Sequence, residues 1–355
     1  MARMVTNLRI LILAGIGLVL PGCGSMYVAQ AAKGQLQILN ERRPIDRVIA
    51  DPRSDPELRR RLTTVREARE FASAELGLPN NRSYRSYADL GREFVVWSVV
   101  ATPEFSVEPR EWCFPIVGCV EYRGYFREAS AEKFAARLRE EGFDTIIGGV
   151  PAYSTLGKFN DPIMNTMMTY GDDELASILF HELSHQLVYI PDDSSFNEAF
   201  AVAVEREGLT RWLRKHGRES DLGKYLKRRE RQAAGIGLVR RYREELAALY
   251  RLPLPEPEMR ARKTAVFARL REEVRDLDSR HGIQSRLAEE LNGPPNNARL
   301  ASFATYYECV PGFERLLEQQ DHDLERFYAA ARELAKLPRA ERRARLCTSG
   351  ATSKS

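Results

Sequence analysis

Hydrophobic and polar positions change rhythm twice along this chain. Leu58, Leu62, Val65, Ala68, Phe71 and Ala72 recur at helical spacing, so residues 56–76 predict an amphipathic helix. Residues 24–55 predict a tether and a first helix in "GQLQILNERRPI", and Pro79 to Ser83 is a turn-rich break. From Phe94 the pattern becomes β-branched and apolar in "FVVWSVVA" and alternating in "CVEYRGYF", which predicts strands. Residues 129–141 return to helical spacing, "FDTIIGGV" predicts a further strand, and Pro151 to Phe159 an extended segment. Beyond Gly171 the chain reads as helix almost to Arg345, with one short break at Pro253, Pro255 and Pro257. Strands followed by helices imply an α+β fold, a small mixed sheet ahead of a mostly helical unit. No internal repeat divides residues 56–355, which are expected to form one domain.

Composition narrows the picture little. Of 355 residues, 43% are hydrophobic and 29% charged, as in packed proteins rather than disordered ones. The formal charge of +4, from 54 basic and 50 acidic residues, is too weak an excess for nucleic-acid binding by bulk charge. The basic run "KYLKRRERQ", Lys224 to Gln232, is expected to be a solvated helix face.

The N-terminus reads as a targeting segment over residues 1–22. Arg3 and Arg9 precede the apolar stretch Ile10 to Leu20, which is 11 residues long. A bilayer span takes ~20. The following "LPGC", Leu20 to Cys23, resembles the bacterial lipobox, which implies cleavage before Cys23 and lipidation of its thiol. Gly24 after the cysteine favours the outer membrane in that comparison. Removal of Arg3 and Arg9 lowers the charge from +4 to +2. A periplasmic location permits disulfides. Cys113 and Cys119 bracket "FPIVG" and are expected to close a short loop; nothing in the spacing fixes a pairing of Cys309 with Cys347. No CxxC occurs, so the cysteines do not read as a metal site.

The candidate chemistry lies in "FHELSHQ", Phe180 to Gln186. The surrounding "DDELASILFHELSHQLVY" has neither Pro nor Gly and carries an apolar stripe, so it predicts a helix ending near Tyr189 or Ile190. Positions four apart lie ~40° apart round a helix and one turn apart in height, so His181 and His185 can offer nitrogens to one ion. Glu182, turned ~100° from His181, is badly placed as a ligand but can reach a water at that ion. Solvated surface histidines are the alternative; the apolar flanks Phe180, Leu183 and Leu187 weigh against it. A catalytic Zn2+ takes three protein ligands. His216, His281 and His322 lie in charged helical stretches, so the third ligand is sought in "DDSSFNEAFAVAVEREG". A helix starting near Ser195 and returning antiparallel brings Glu198 level with His185. Glu205, on the same face ~10 Å further along, is the reserve ligand or a partner behind a histidine. The competing role for Glu198 is a capping box with Ser195.

HELSH followed by "NEAFA", Asn197 to Ala201, is similar to the gluzincin metallopeptidases, where a glutamate of an "NE" helix completes the zinc site. The chain departs from the thermolysin-like branch in its shorter interval from His185 to Glu198, and in Val202 where that branch has an acidic residue. A closer resemblance covers nearly the whole mature chain. "WCFPIVGCVEYRGYF", "AYSTLGKFNDPI", "FHELSHQ", "FNEAFAVAVEREG" and "NNARLASFATYYECVPGF" look like the bacterial lipoprotein family labelled "putative aminopeptidase". That resemblance implies a zincin-like unit and a peptide or protein substrate. It implies Glu182 as general base. It also suggests Gly149 to Gly157 as a substrate-pairing strand and Tyr306 or Tyr307 as a hydroxyl donor to the oxyanion. Two rivals stay open: an envelope endopeptidase of the same chemistry, and a lipid-anchored scaffold with a structural metal.

Overall fold

The computed structural model describes residues 23–114, 118–152 and 154–347. Its elements follow the α+β order, with short strands in the first half and helices after residue 171. Three small sheets replace the expected single one. The main sheet is antiparallel, with β3 (Val96–Pro103) between β6 (Arg123–Tyr125) and β7 (Phe143–Val150). A second, mixed sheet joins β1 (Arg42–Pro44), β2 (Ser86–Ala88) and β8 (Ile163–Met164). The third is the hairpin of β4 (Trp112–Phe114) and β5 (Gly118–Val120), closed by the Cys113–Cys119 disulfide. "CVEYRGYF" is therefore two strands, because β5 pairs back within its hairpin while β6 pairs with β3.

The first helix, α1 (Cys23–Asn40), is not a loose tether. The Gln30 amide donates to Gly124 O and accepts from Phe126 N, and so continues the hydrogen bonding of β6 sideways. Gly34 lets the Phe126 ring lie where a Cβ would stand, 2.1 Å from its nearest ring carbon. Ile38 is buried with Ala88, Leu90, Val95 and Met164. After α2 (Ile45–Ala50) comes α3 (Pro56–Ala74), capped by Asp55 and started by Pro56 at its first position. The apolar face expected for it is the buried one. The outer face of β3 is covered by α4 (Glu128–Glu140) through Ala131, Phe134, Ala135 and Leu138.

The remaining helices are α5 (Asp172–Ser184), α6 (Ser194–Lys215), α7 (Glu219–Leu249), α8 (Glu256–His281), α9 (Arg286–Leu291), α10 (Asn297–Tyr307), α11 (Val310–Gln319), α12 (Leu324–Ala335) and α13 (Arg339–Leu346). The proline cluster separates α7 from α8, since Pro253 and Pro255 cannot continue a helix. The main core joins α3, α5, α6, α11 and α12, and the aromatic trio Phe71, Phe180 and Trp212 fastens the first three together. Each such side chain stabilises by about 1.5–3 kcal/mol relative to exposure. Gly208 in α6 permits the close approach: a Cβ there would stand 2.8 Å from both Leu76 and Phe180. The long pair α7 and α8 has its own core of Val239, Tyr242, Leu246, Val266, Phe267 and Leu270. It is tied to β7 by the ion pair of buried Lys263 with Asp144, 2.7 Å.

Two expected boundaries move. The segment after β7 is not extended: Leu156, Gly157 and Asn160 adopt left-handed φ of 57°, 75° and 51°, and the loop wraps round the buried Asp161 carboxylate. Only Gly149 and Val150 of the expected substrate-pairing stretch belong to a strand, and Tyr153 lies outside the described residues. Helix α5 stops at Ser184 rather than near Ile190. Tight turns follow from Gln186 N to Leu183 O and from Leu187 N to Ser184 O, and the Asn197 amide then captures both backbone groups of Ile190.

Candidate metal centre

Helices α5 and α6 run antiparallel, joined by a short connection, so that Ser177, His181 and His185 of one meet Glu205 and Glu198 of the other. His181 lies in the last turn of α5 and His185 at its C-cap, with ring centroids 4.9 Å apart. Glu198 faces them from the second turn of α6. Its Oε2 is 3.3 Å from His181 Nε2 and its Oε1 3.9 Å from His185 Nε2. One donor atom from each of the three lies within 4.8 Å of the others.

The cap that competed for Glu198 is elsewhere. Asp193 is the N-cap of α6 and accepts from Phe196 N, so Ser195 does not form a box with Glu198. Glu205 stands behind His181 instead of among the three donors. It meets His181 Nδ1 at 3.0 Å, and its other oxygen accepts from Ser177 at 2.9 Å. Nδ1 is thereby held as a donor and Nε2 is left for the Glu198 side. His185 is buried, and its Nδ1 has no hydrogen-bond partner among the described residues.

The electrostatics follow from burial with little countercharge. Burial drives the His185 imidazole down to about 4, so it is neutral at pH 7 with its ring lone pair free. Burial opposes charge on His181 too, but the carboxylates of Glu198 and Glu205 outweigh it and raise this histidine. Glu182 is held up to about 7, first by burial, with Glu198, Asp161 and Glu205 adding and His181 opposing. A carboxyl held near neutrality can both take and return a proton, which suits a general base.

Two imidazoles and one carboxylate, part-buried or buried and converging, are a donor set that could hold a divalent cation. Glu205 on His181 is the carboxylate–histidine support such sites carry. The residues present therefore fit a divalent cation.

Several neighbours of the site were not singled out in the sequence. Tyr122 follows the disulfide hairpin, and burial, then the charge of Glu198, raises its hydroxyl, although 37% of the residue remains open to solvent. Tyr189 is raised by burial and by Glu198 as well. On the Glu182 side stand Tyr84 and Asp161, whose charges act on one another. Tyr84 has a left-handed φ of 62°, and the fully buried Arg69 fastens its turn by donating to the carbonyls of Pro79, Asn81 and Ser83. These tyrosines carry no local signal; a non-glycine residue with positive φ is visible only in coordinates. The Tyr306 and Cys23 side chains lie outside the described residues. Tyr307 is half-buried against the main core, under the charge of Glu205.

The family model described as "Putative aminopeptidase" matches residues 26–346. The chain belongs to that family. No curated protein and no solved structure matches it. The description names an aminopeptidase, and the match spans both the sheet-bearing half and the helices that carry His181, His185 and Glu198.

Proposed function

We propose that this aminopeptidase-family chain is a Zn2+-dependent peptidase whose cation is held by His181, His185 and Glu198. The convergence of their donor atoms within 4.8 Å supports the reading above any other observation. When bound, Zn2+ there supplies Lewis acidity toward a peptide carbonyl and toward water. The protein residues have separate tasks. Glu205 orients His181 through Nδ1. Glu182 accepts a proton from the attacking water and delivers it to the leaving amine, a role for which its burial keeps it near neutrality. Tyr122, whose hydroxyl feels the charge of Glu198, is a candidate hydrogen-bond donor to the developing oxyanion. Tyr306, the donor expected from the sequence, remains the other candidate.

The lipobox resemblance at Leu20–Cys23 supports attachment to the envelope membrane by a lipid, and the disulfides Cys113–Cys119 and Cys309–Cys347 suit an oxidising compartment. No helix among the described residues is long and apolar enough to cross a membrane. The proposed substrates are peptides or proteins of that compartment.

Metal analysis and a peptide-library digest with mass readout test the reading, using wild type and Glu182→Gln. Stoichiometric zinc in both proteins and cleavage by wild type alone is the expected result. Release of single N-terminal residues marks an aminopeptidase, and cuts in blocked peptides an endopeptidase. Zinc retained with no cleavage by either protein refutes the catalytic proposal and favours a structural metal.

A further inference from the structure

The connection between the two ligand-bearing helices ends in two aspartates, each gripped by a different part of the chain. Asp192, at φ 66°, accepts the backbone N–H of Cys119 from the disulfide hairpin. Asp193 caps α6 and is gripped from the C-terminus. Arg342 Nε and Nη2 both reach its Oδ2 at 2.7 Å, with the two side chains 8% and 1% exposed. Asp193 O also accepts from Asn197 N, so this one residue sets the first turn of the helix that carries Glu198.

Arg342 lies on α13, which has little means of staying in place by itself. The helix is 8 residues long, carries four arginines, and buries only Arg342 and Leu346. Isolated helices under ~12 residues are marginal in water. Beside the part-exposed ion pairs of Arg339 with Glu111 and Glu121 and of Arg343 with Glu308, two features hold it. At Gly312 the backbone of α11 approaches α13 so closely that a Cβ would stand 2.2 Å from Leu346 O. The Cys309–Cys347 disulfide then bonds the residue preceding α11 to the residue following α13. The bond closes a separation of 38 residues and restricts how far α13 can leave.

We propose that α13 is a redox-held clamp on the metal centre: Arg342 is a positioning residue that fixes the start of the Glu198 helix through Asp193, and reduction of Cys309–Cys347 releases it and weakens cation binding. This rests on the zinc reading above. The reductant is a dithiol. It gives up two electrons and two protons and becomes a disulfide, while the Cys309–Cys347 bond breaks to two thiols. With the bond open, α13 frays, Asp193 loses its buried countercharge, and the first turn of α6 is free to shift Glu198 away from His181 and His185.

The test compares wild type, Cys309→Ser/Cys347→Ser, and Arg342→Lys with the disulfide intact. Hydrogen exchange over residues 188–198 of metal-free protein is read first, then Zn2+ affinity by competition with a chromophoric chelator. Both variants are expected to exchange this segment at least ~10-fold faster and to bind zinc ~10–100-fold more weakly, the usual effect of losing support around a ligand. Wild type treated with dithiothreitol should behave like the double serine variant and recover on reoxidation. If wild type binds no zinc, the metal reading fails, while the exchange arm still judges the clamp. Wild-type exchange together with wild-type zinc affinity in Arg342→Lys overturns the proposal, even where the double serine variant does not fold.

Discussion

The carboxylate behind His181 offers the sharpest quantitative test of the centre. Glu205 spends one oxygen on His181 Nδ1 at 3.0 Å and the other on Ser177 Oγ at 2.9 Å, and its side chain is 28% exposed. Glu205→Gln keeps an acceptor for Nδ1–H and turns its NH2 toward the serine oxygen, so the geometry survives and only charge is lost. Glu205→Ala loses both contacts and frees the ring to turn. Partners of a ligating histidine change metal affinity by ~10–100-fold, which is ~1.4–2.7 kcal/mol. Partial exposure screens the charge of Glu205, so the glutamine variant belongs near the lower limit and the alanine variant near the upper. The assay is competitive Zn2+ titration at constant pH, with thermal unfolding of the metal-free proteins as a control for folding. An alanine variant that binds zinc as tightly as wild type, with an unchanged unfolding midpoint, would refute the assignment of Glu205 as the support of His181.

Two further expectations concern the frame. Lys263→Met takes the ammonium from Asp144, which is 16% exposed and keeps the Asn297 N–H at 2.7 Å, and is expected to cost ~1.5–3 kcal/mol, whereas Asp144→Asn/Lys263→Met should recover part of the loss; urea unfolding of both single variants and the double variant measures the coupling, and additive losses would contradict it. Gly208→Ala should destabilise by about 1–2 kcal/mol although alanine is the better helix former, because its Cβ would stand 2.8 Å from buried Leu76 and Phe180. Gly223→Ala, in an open stretch of α7 with no atom within 4 Å of the new Cβ, should stabilise by ~0.5–1 kcal/mol in the same experiment.

Local pattern was enough for most of the elements and for setting His181 and His185 on one face of a helix. Helical spacing placed α3, α4 and the helices after residue 171, and the i, i+4 relation of His181 and His185 is a property of one helix that needs no partner. The antiparallel return of α6 was legible as well, since a short connection between two apolar-striped helices leaves few other packings. Tertiary structure decided what depends on contacts distant in sequence. It set the end of α5, where Asn197 takes the backbone of Ile190, and it moved the α6 cap from Ser195 to Asp193, where Arg342 arrives from 149 residues away. It also broke the stretch after Val150 into a loop round Asp161, docked α1 on β6, and brought Tyr122 and Tyr84 to the carboxylates. The physical reason is common to these cases. Periodicity records which face of an element is buried, whereas hydrogen bonds and charges over long separations are chosen only once those faces have packed.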